Sequence, residues 1–337
     1  MVTYGNPHVV YQGRIHQTTE KGAELYWPGS SVGIEFVGTE IHATLQDEKG
    51  ENYFQILLDG KPLGILHPTS QKQTYLLASG LNNQKHHVEI FKRTEFTSGK
   101  TNFYDFIIKN NAKTFPNTTP KKRFIEFYGD SVTAGHGLDD SSGKDSGEAK
   151  FYNNYLTYGA VTARHFNADY QCVCKGGIGL MISWFPYTMP DIYDKLNPLE
   201  PNSPWDFNTK TPDIVVINLM QNDSWLIKNK ESKEFKTIFG DTPPNEDFII
   251  NSYKSFIQEL RKKYPKSHII CALGSMDITK KESKWPGYVE SALKEINDPK
   301  NHFLLFPFKN SKGHPNKTEQ LIMSNFLIEY IEKNISW

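Results

Sequence analysis

Cysteine is nearly absent from this chain. Among 337 residues only Cys172, Cys174 and Cys271 occur, and an odd count without framework spacing excludes a disulfide scaffold. Cys172 and Cys174 stand two apart in a strand-like run, so both point to one face. No further ligand that would complete a metal site is evident beside them, and they read as buried, inert thiols. An excess of charge is lacking too. The 38 Lys and Arg balance the 38 Asp and Glu, so no global field draws the chain to nucleic acid or an anionic membrane. The short Lys121-Lys122-Arg123 run reads as a solvated linker edge. No apolar run approaches the ~20 residues that cross a bilayer. Residues Met1 to Thr18 lack the apolar stretch of a signal peptide. The expectation is a cytoplasmic protein if this is the native N-terminus, and a secreted or periplasmic one if it is a mature form.

Aromatic residues, by contrast, make up 13% of the chain and are spread along it, which suits sandwich packing and sugar-stacking surfaces. Up to about Phe115 the pattern is β. Val32 to Phe36, Ile41 to Leu45, Tyr53 to Leu58 and Val88 to Lys92 alternate with period two. Turn signals separate them: Pro28-Gly29, Gly38-Thr39, Lys49-Gly50, Asp59-Gly60 and Gly80. Short strands with regular turns predict an all-β sandwich or jelly roll over 1–115. The stretch Phe115-Pro116-Asn117-Thr118-Thr119-Pro120 cannot continue a ladder and places a linker at 116–122.

From 123 to 337 the period changes. Phe124 to Tyr128, Asp213 to Leu219, His268 to Leu273 and His302 to Phe308 read as buried strands. Helical stripes lie between and after them: Tyr253, Phe256, Ile257, Leu260 and Tyr264, then Leu321, Ile328, Ile331 and Ile335. Strands alternating with helices predict a three-layer α/β domain on a parallel, flavodoxin-like sheet. Ligands bind such sheets beyond the carboxyl ends of the strands.

Chemistry follows those ends. After the first strand comes Gly129-Asp130-Ser131-Val132-Thr133. By itself this serine reads as a helix N-cap, with a nucleophile as the alternative. Thr133 breaks the Gly-x-Ser-x-Gly elbow, so an ordinary α/β-hydrolase is not indicated. Gly176-Gly177 follows the second strand; it is either a plain tight turn or one that frees an amide for a substrate oxygen. Asn222, after the third strand, offers a side-chain amide or a turn. His314 precedes Pro315, which fits the first helical position and would fix where the imidazole points. Placed together on the ligand edge, these residues supply a nucleophile, oxyanion donors and a base.

With Ser131, Gly177, Asn222 and His314 in this order, the second half resembles the SGNH, or GDSL-type, hydrolases. The first half is more specific. Trp27-Pro28-Gly29-Ser30, Gly38-Thr39, Asn52-Tyr53-Phe54, Leu58-Asp59-Gly60 and Lys92-Arg93-Thr94-Glu95 resemble carbohydrate esterase family two. So do Phe124 to Ser131 and Asn153 to Ala160. That family joins a jelly roll to an SGNH domain and deacetylates sugars. The resemblance implies Ser131 as nucleophile, His314 as base, and an oxyanion hole from Ser131, Gly177 and Asn222. The expected substrate is an acetylated carbohydrate, with no cofactor and no metal. Asp130 is expected to brace the loop, and Trp184 and Trp225 are candidate sugar platforms.

Two departures bear on the chemistry. Met220, followed by Gln221, stands where the superfamily usually has glycine. The usual aspartate two or three residues before the histidine is missing, those positions being Lys312 and Ser311. The expectation is therefore a Ser–His dyad with a backbone carbonyl on Nδ1, or a carboxylate from elsewhere such as Asp277. Lys312 is expected to face solvent. Three rival readings stand beside deacetylation: a lipid or thioester hydrolase, a catalytically inactive carbohydrate-binding protein, and a structural adaptor.

Overall fold

Period-two alternation becomes strand where the pattern predicts it: Ser31–Val37, Glu40–Asp47, Phe54–Leu58 and Lys85–Lys92. The computed structural model describes residues 1–18, 20–110, 113–117 and 120–337. Thr118 and Thr119 of the expected linker lie outside them. The N-terminal strands form two six-stranded sheets with antiparallel pairing. Their inner faces bury Val32, Ile34, Phe36, Leu45, Ile90 and Phe103 among other apolar side chains, giving a β-sandwich.

The C-terminal domain is built on five parallel strands. In chain order they are Arg123–Gly129, Ala168–Cys174, Ile214–Asn218, His268–Leu273 and Asn301–Leu305. In space the first strand lies between the second and third, and the fourth and fifth follow outward. This is the doubly wound order in which the chain reverses direction beside the first strand, the position where such sheets bind ligands. Apolar cores cover both faces of the sheet. Helix Glu246–Lys263 buries Tyr253, Phe256, Ile257 and Leu260, the stripe its spacing predicts.

The last helix, Lys317–Asn334, buries Ile331 of its predicted stripe, with Ile335 just beyond its end also buried and Ile328 packed against the core, but not Leu321. Leu321 is half exposed, and the buried face is Gln320, Met323, Ser324, Leu327 and Ile331. Polar residues are interior there because they are paired. Ser324 Oγ lies 3.1 Å from Thr162 Oγ1, while the Gln320 side chain donates to the Val132 carbonyl and accepts from the Tyr158 amide. Apolarity alone could not reveal a face satisfied by hydrogen bonds. Pro315 is also displaced from the expected first helical position. Asn316 caps the helix in a capping box with Glu319, so the proline sits just before the cap.

The two domains share their cores. Trp27 and Phe96 of the sandwich join the cluster on one face of the parallel sheet, and Leu57 and Phe91 join the other. Lys92, fully buried at this seam, donates to the carbonyls of Thr94 and Glu95 at 2.9 and 3.2 Å. Burial outweighs the nearby Asp47 and Glu95 and lowers its pKa from 10.5 to about 7. Between those values the unfolded chain holds the proton and the folded chain does not, so stability rises with pH across that window. Thermal unfolding is expected to show Tm climbing from pH 7 to about 8, below the range in which the buried Cys174 and Cys271 thiols act in the opposite sense, with the slope reduced in Lys92→Met.

Candidate active site

Ser131 opens a one-turn helix, Ser131–Ala134, directly after the first parallel strand. The cap that the serine was expected to rival is made by its neighbour: Asp130 Oδ1 accepts from the Val132 amide at 3.0 Å. That leaves Ser131 Oγ free of capping. It lies 2.8 Å from His314 Nε2, within reach for direct proton transfer.

A carboxylate sits on the other ring nitrogen. Asp145 Oδ2 lies 2.8 Å from His314 Nδ1 and accepts from the His314 amide at 3.1 Å; Oδ1 lies 3.0 Å from Nδ1. The expected dyad is therefore corrected to a Ser131–His314–Asp145 chain. Asp277 is not its third member, since it pairs with Lys280 and accepts from the Trp225 indole. The carboxylate enters 169 residues before the histidine, from a polar loop between the first strand and its crossover helix. Gly313 makes room for it: a Cβ there would meet Asp145 Oδ2 at 2.9 Å, and its φ of +69° favours glycine. Burial tends to raise the Asp145 pKa, but the His314 hydrogen bond and the His314 and His136 charges prevail and hold it below the ordinary carboxylate value.

The glycine turn after the second strand packs against the nucleophile, a Cβ on Gly176 falling 3.6 Å from Ser131 Cβ. Gly177 adopts φ +82°, so its identity is dictated by the turn. Among the described residues no protein acceptor takes the amide hydrogens of Ser131 or Gly177. Asn222 lies at the carboxyl end of the third strand, beside both. Its Oδ1 accepts from the Trp184 indole at 3.1 Å, which can only donate. This fixes Nδ2 as the donor toward the Ile178 carbonyl at 2.9 Å and Asp130 Oδ2 at 3.4 Å. Burial raises the Asp130 pKa to about 6 despite the Val132 amide and His314.

Sequence reasoning missed three supporting residues besides Asp145. Asp223, fully buried beside Asn222, accepts from the amides of Leu180, Met181 and Ile182 and holds the loop after the glycine turn. His136 lies with its ring centroid 4.2 Å from that of His314, and its Nδ1 is 2.9 Å from the Tyr152 hydroxyl. Burial and the neighbouring His314 keep its pKa below the usual histidine value. Glu95, from the sandwich, accepts from the Gly176 amide at 2.7 Å. Met220 takes up a glycine-like φ of +80° while fully buried. The following Gln221 accepts from the Ile278 amide.

Donor atoms of His136, Asp145 and His314 all come within 4.8 Å of one another. This is the cation-competent group among the described residues, but His314 and Asp145 are engaged with Ser131 and each other. A cleft of about 520 Å³ opens beside His314, lined by Asp145, Trp225, Asp277 and Lys312. Another, of about 580 Å³, lies beyond the glycine turn against Trp184, Phe185 and Tyr187. Trp184 is half exposed, and Lys312 faces solvent as expected.

A β-sandwich is fused to a doubly wound sheet that carries Ser131, Gly177, Asn222 and His314 along one edge. The profile "Carbohydrate esterase 2 N-terminal" matches residues 11–117. A family two carbohydrate esterase structure from Clostridium thermocellum, solved with cellohexaose, superposes with TM-score 0.85 at 31% identity, covering 96% of this chain and 98% of that one. The chain belongs to carbohydrate esterase family two. It is 33% identical to the cellulase/esterase CelE of Acetivibrio thermocellus over 98% of its own length, but spans only 40% of that protein. It is 25% identical to an acetylxylan esterase / glucomannan deacetylase of Cellvibrio japonicus, covering 100% of this chain and 91% of that protein. No helix among the described residues is long and apolar enough to cross a membrane.

Proposed function

We propose that the chain hydrolyses O-acetyl groups on carbohydrate through an acetyl-enzyme. The observation that carries the reading is the 2.8 Å contact between Ser131 Oγ and His314 Nε2, with a carboxylate on Nδ1. His314 takes the Ser131 proton as Oγ attacks the acetyl carbonyl. The Ser131 and Gly177 amides hold the oxyanion, and Asn222 Nδ2 joins them by turning to it the hydrogen that otherwise meets Asp130 Oδ2 at the long distance of 3.4 Å. His314 then returns the proton to the departing sugar hydroxyl. Water, deprotonated by His314, attacks the acetyl-enzyme and releases acetate with Ser131 restored. Trp184 and Trp225 flank the clefts as stacking surfaces for sugar, and Asp130 braces the nucleophile turn. The curated relatives named as acetylxylan esterases and glucomannan deacetylases support this substrate class. The cleft at His314 sets the charged Asp145, Asp277 and Lys312 beside Trp225, a mixture that supports a sugar rather than a long acyl chain.

Hydrolysis of 4-nitrophenyl acetate, butyrate and octanoate, with acetate release from acetylated xylan and glucomannan, tests the reading. Acetate should exceed butyrate by at least about 10-fold in kcat/KM, the scale on which a shaped pocket rejects added methylenes. Preference for octanoate would make the protein a lipid or thioester hydrolase. Sugar binding without turnover of any ester would make it a binding protein.

A further inference from the structure

Lys92-Arg93-Thr94-Glu95, a segment of the sandwich, reaches into the other domain at two points of the active site. Arg93 is 1% exposed. It donates to the Tyr152 carbonyl at 3.2 and 3.1 Å and pairs with Asp139. Asp139 opens the loop that carries Asp145. It also accepts from Asn153 at 3.0 Å and pairs with Lys317, three residues beyond His314, at 2.7 Å. Within the loop, Asp140 accepts from the Ser142 and Ser146 amides, each at 2.9 Å, so the loop is braced internally as well as at its base.

On the opposite side, Glu95 Oε2 takes the Gly176 amide, while Oε1 accepts from Thr97. Gly177, the next residue, is the proposed oxyanion donor. A Cβ on Gly176 would stand 3.4 Å from Glu95 Oε2 and 3.6 Å from Ser131 Cβ. Carboxylate and nucleophile thus meet across one glycine.

We infer that Asp139, clamped by Arg93, and Glu95 are positioning residues, through which the sandwich domain holds the Asp145 loop and the Gly176-Gly177 turn in register with Ser131. The inference rests on the esterase reading above and gives the sandwich a part in turnover, distinct from binding glycan.

The test uses the full chain with Asp139→Asn, Glu95→Ala and Glu95→Gln, each alone and combined with Asp145→Ala. Asp139→Asn should lower kcat on 4-nitrophenyl acetate on the order of 10²-fold with KM little changed, the cost of displacing a reacting group by ~1 Å. Over Asp145→Ala it should add nothing, because both act on the same link. Glu95→Ala should lower kcat on the same scale in both backgrounds, and Glu95→Gln, whose amide oxygen still accepts from Gly176, should restore most of it. A second readout needs no substrate: the deshielded Nδ1 proton of His314 in the proton NMR spectrum. It should be present in the parent, lost in Asp139→Asn and kept in Glu95→Ala. Full additivity of Asp139→Asn with Asp145→Ala, or an unchanged proton, overturns the loop half. Equal loss in Glu95→Ala and Glu95→Gln overturns the turn half. A parent without turnover whose proton is still lost in Asp139→Asn would refute the esterase reading and leave the loop clamp standing.

Discussion

Asp145→Ala is expected to lower turnover of an acetyl ester about 10³- to 10⁴-fold, one step short of the loss in Ser131→Ala. Asp145 makes two contacts that a backbone carbonyl could not supply together. One oxygen accepts from the His314 amide and also faces Nδ1, so ring and backbone are fixed by the same group. A carboxylate on Nδ1 selects the tautomer that leaves Nε2 free to accept the Ser131 proton, and it stabilises the imidazolium that follows. Asp145→Asn should be nearly as damaging, since an amide nitrogen offered to Nδ1 favours the opposite tautomer. Because His314 holds the Asp145 carboxyl below its ordinary pKa, this contact is lost only as pH falls through that lowered value. Activity lost at milder acidity therefore has another origin. Steady-state kinetics of both variants decide the matter: a loss under about 10-fold in Asp145→Ala would return the site to a dyad.

Why Asp145 escaped sequence reading is instructive. Both domains were legible because burial imposes periods, two for the sandwich strands and near-continuous apolar runs for the parallel ones. Ser131, Gly177, Asn222 and His314 could be proposed together because strand ends place them in order along one edge. Asp145 obeys neither rule. It sits in a polar loop at φ +57°, where Asp is ordinary turn chemistry, and its pairing depends on how that loop folds back over Gly313. The absent upstream aspartate pointed to a carboxylate from elsewhere. Asp277 follows the fourth strand and was the natural candidate, but its charge is engaged by Lys280. The one local signal was Gly313 itself, a glycine beside the base whose missing Cβ leaves space for a carboxylate. The first turns of the last helix were misread for a related reason: Gln320 and Ser324 are interior because specific partners satisfy them, and partners are not encoded in a residue's polarity.

The domain seam carries the largest expected effect on stability. Arg14 of the sandwich is completely buried. It pairs with Glu126 of the first parallel strand at 2.9 Å and donates to the Tyr193 and Lys195 carbonyls at 2.7 and 2.8 Å. Trp205 and Phe207 pack against its guanidinium. Arg14→Met keeps the stem's volume but leaves a buried carboxylate without its cation and two carbonyls without a donor. Breaking one partner of such a pair costs about 3–5 kcal/mol, roughly 4–7 °C in Tm for a protein of this size. Arg14→Met combined with Glu126→Gln should recover much of the loss, because no uncompensated charge then remains. The pH dependence separates charge from packing. An unpaired buried acid favours its protonated form, so in Arg14→Met the folded state binds the extra proton and the defect shrinks as pH falls toward the carboxylate range. A defect equal at all pH values, or one not relieved by Glu126→Gln, would assign the seam's stability to Trp27, Phe91 and Phe96 instead, with the ion pair setting only the register of one domain on the other.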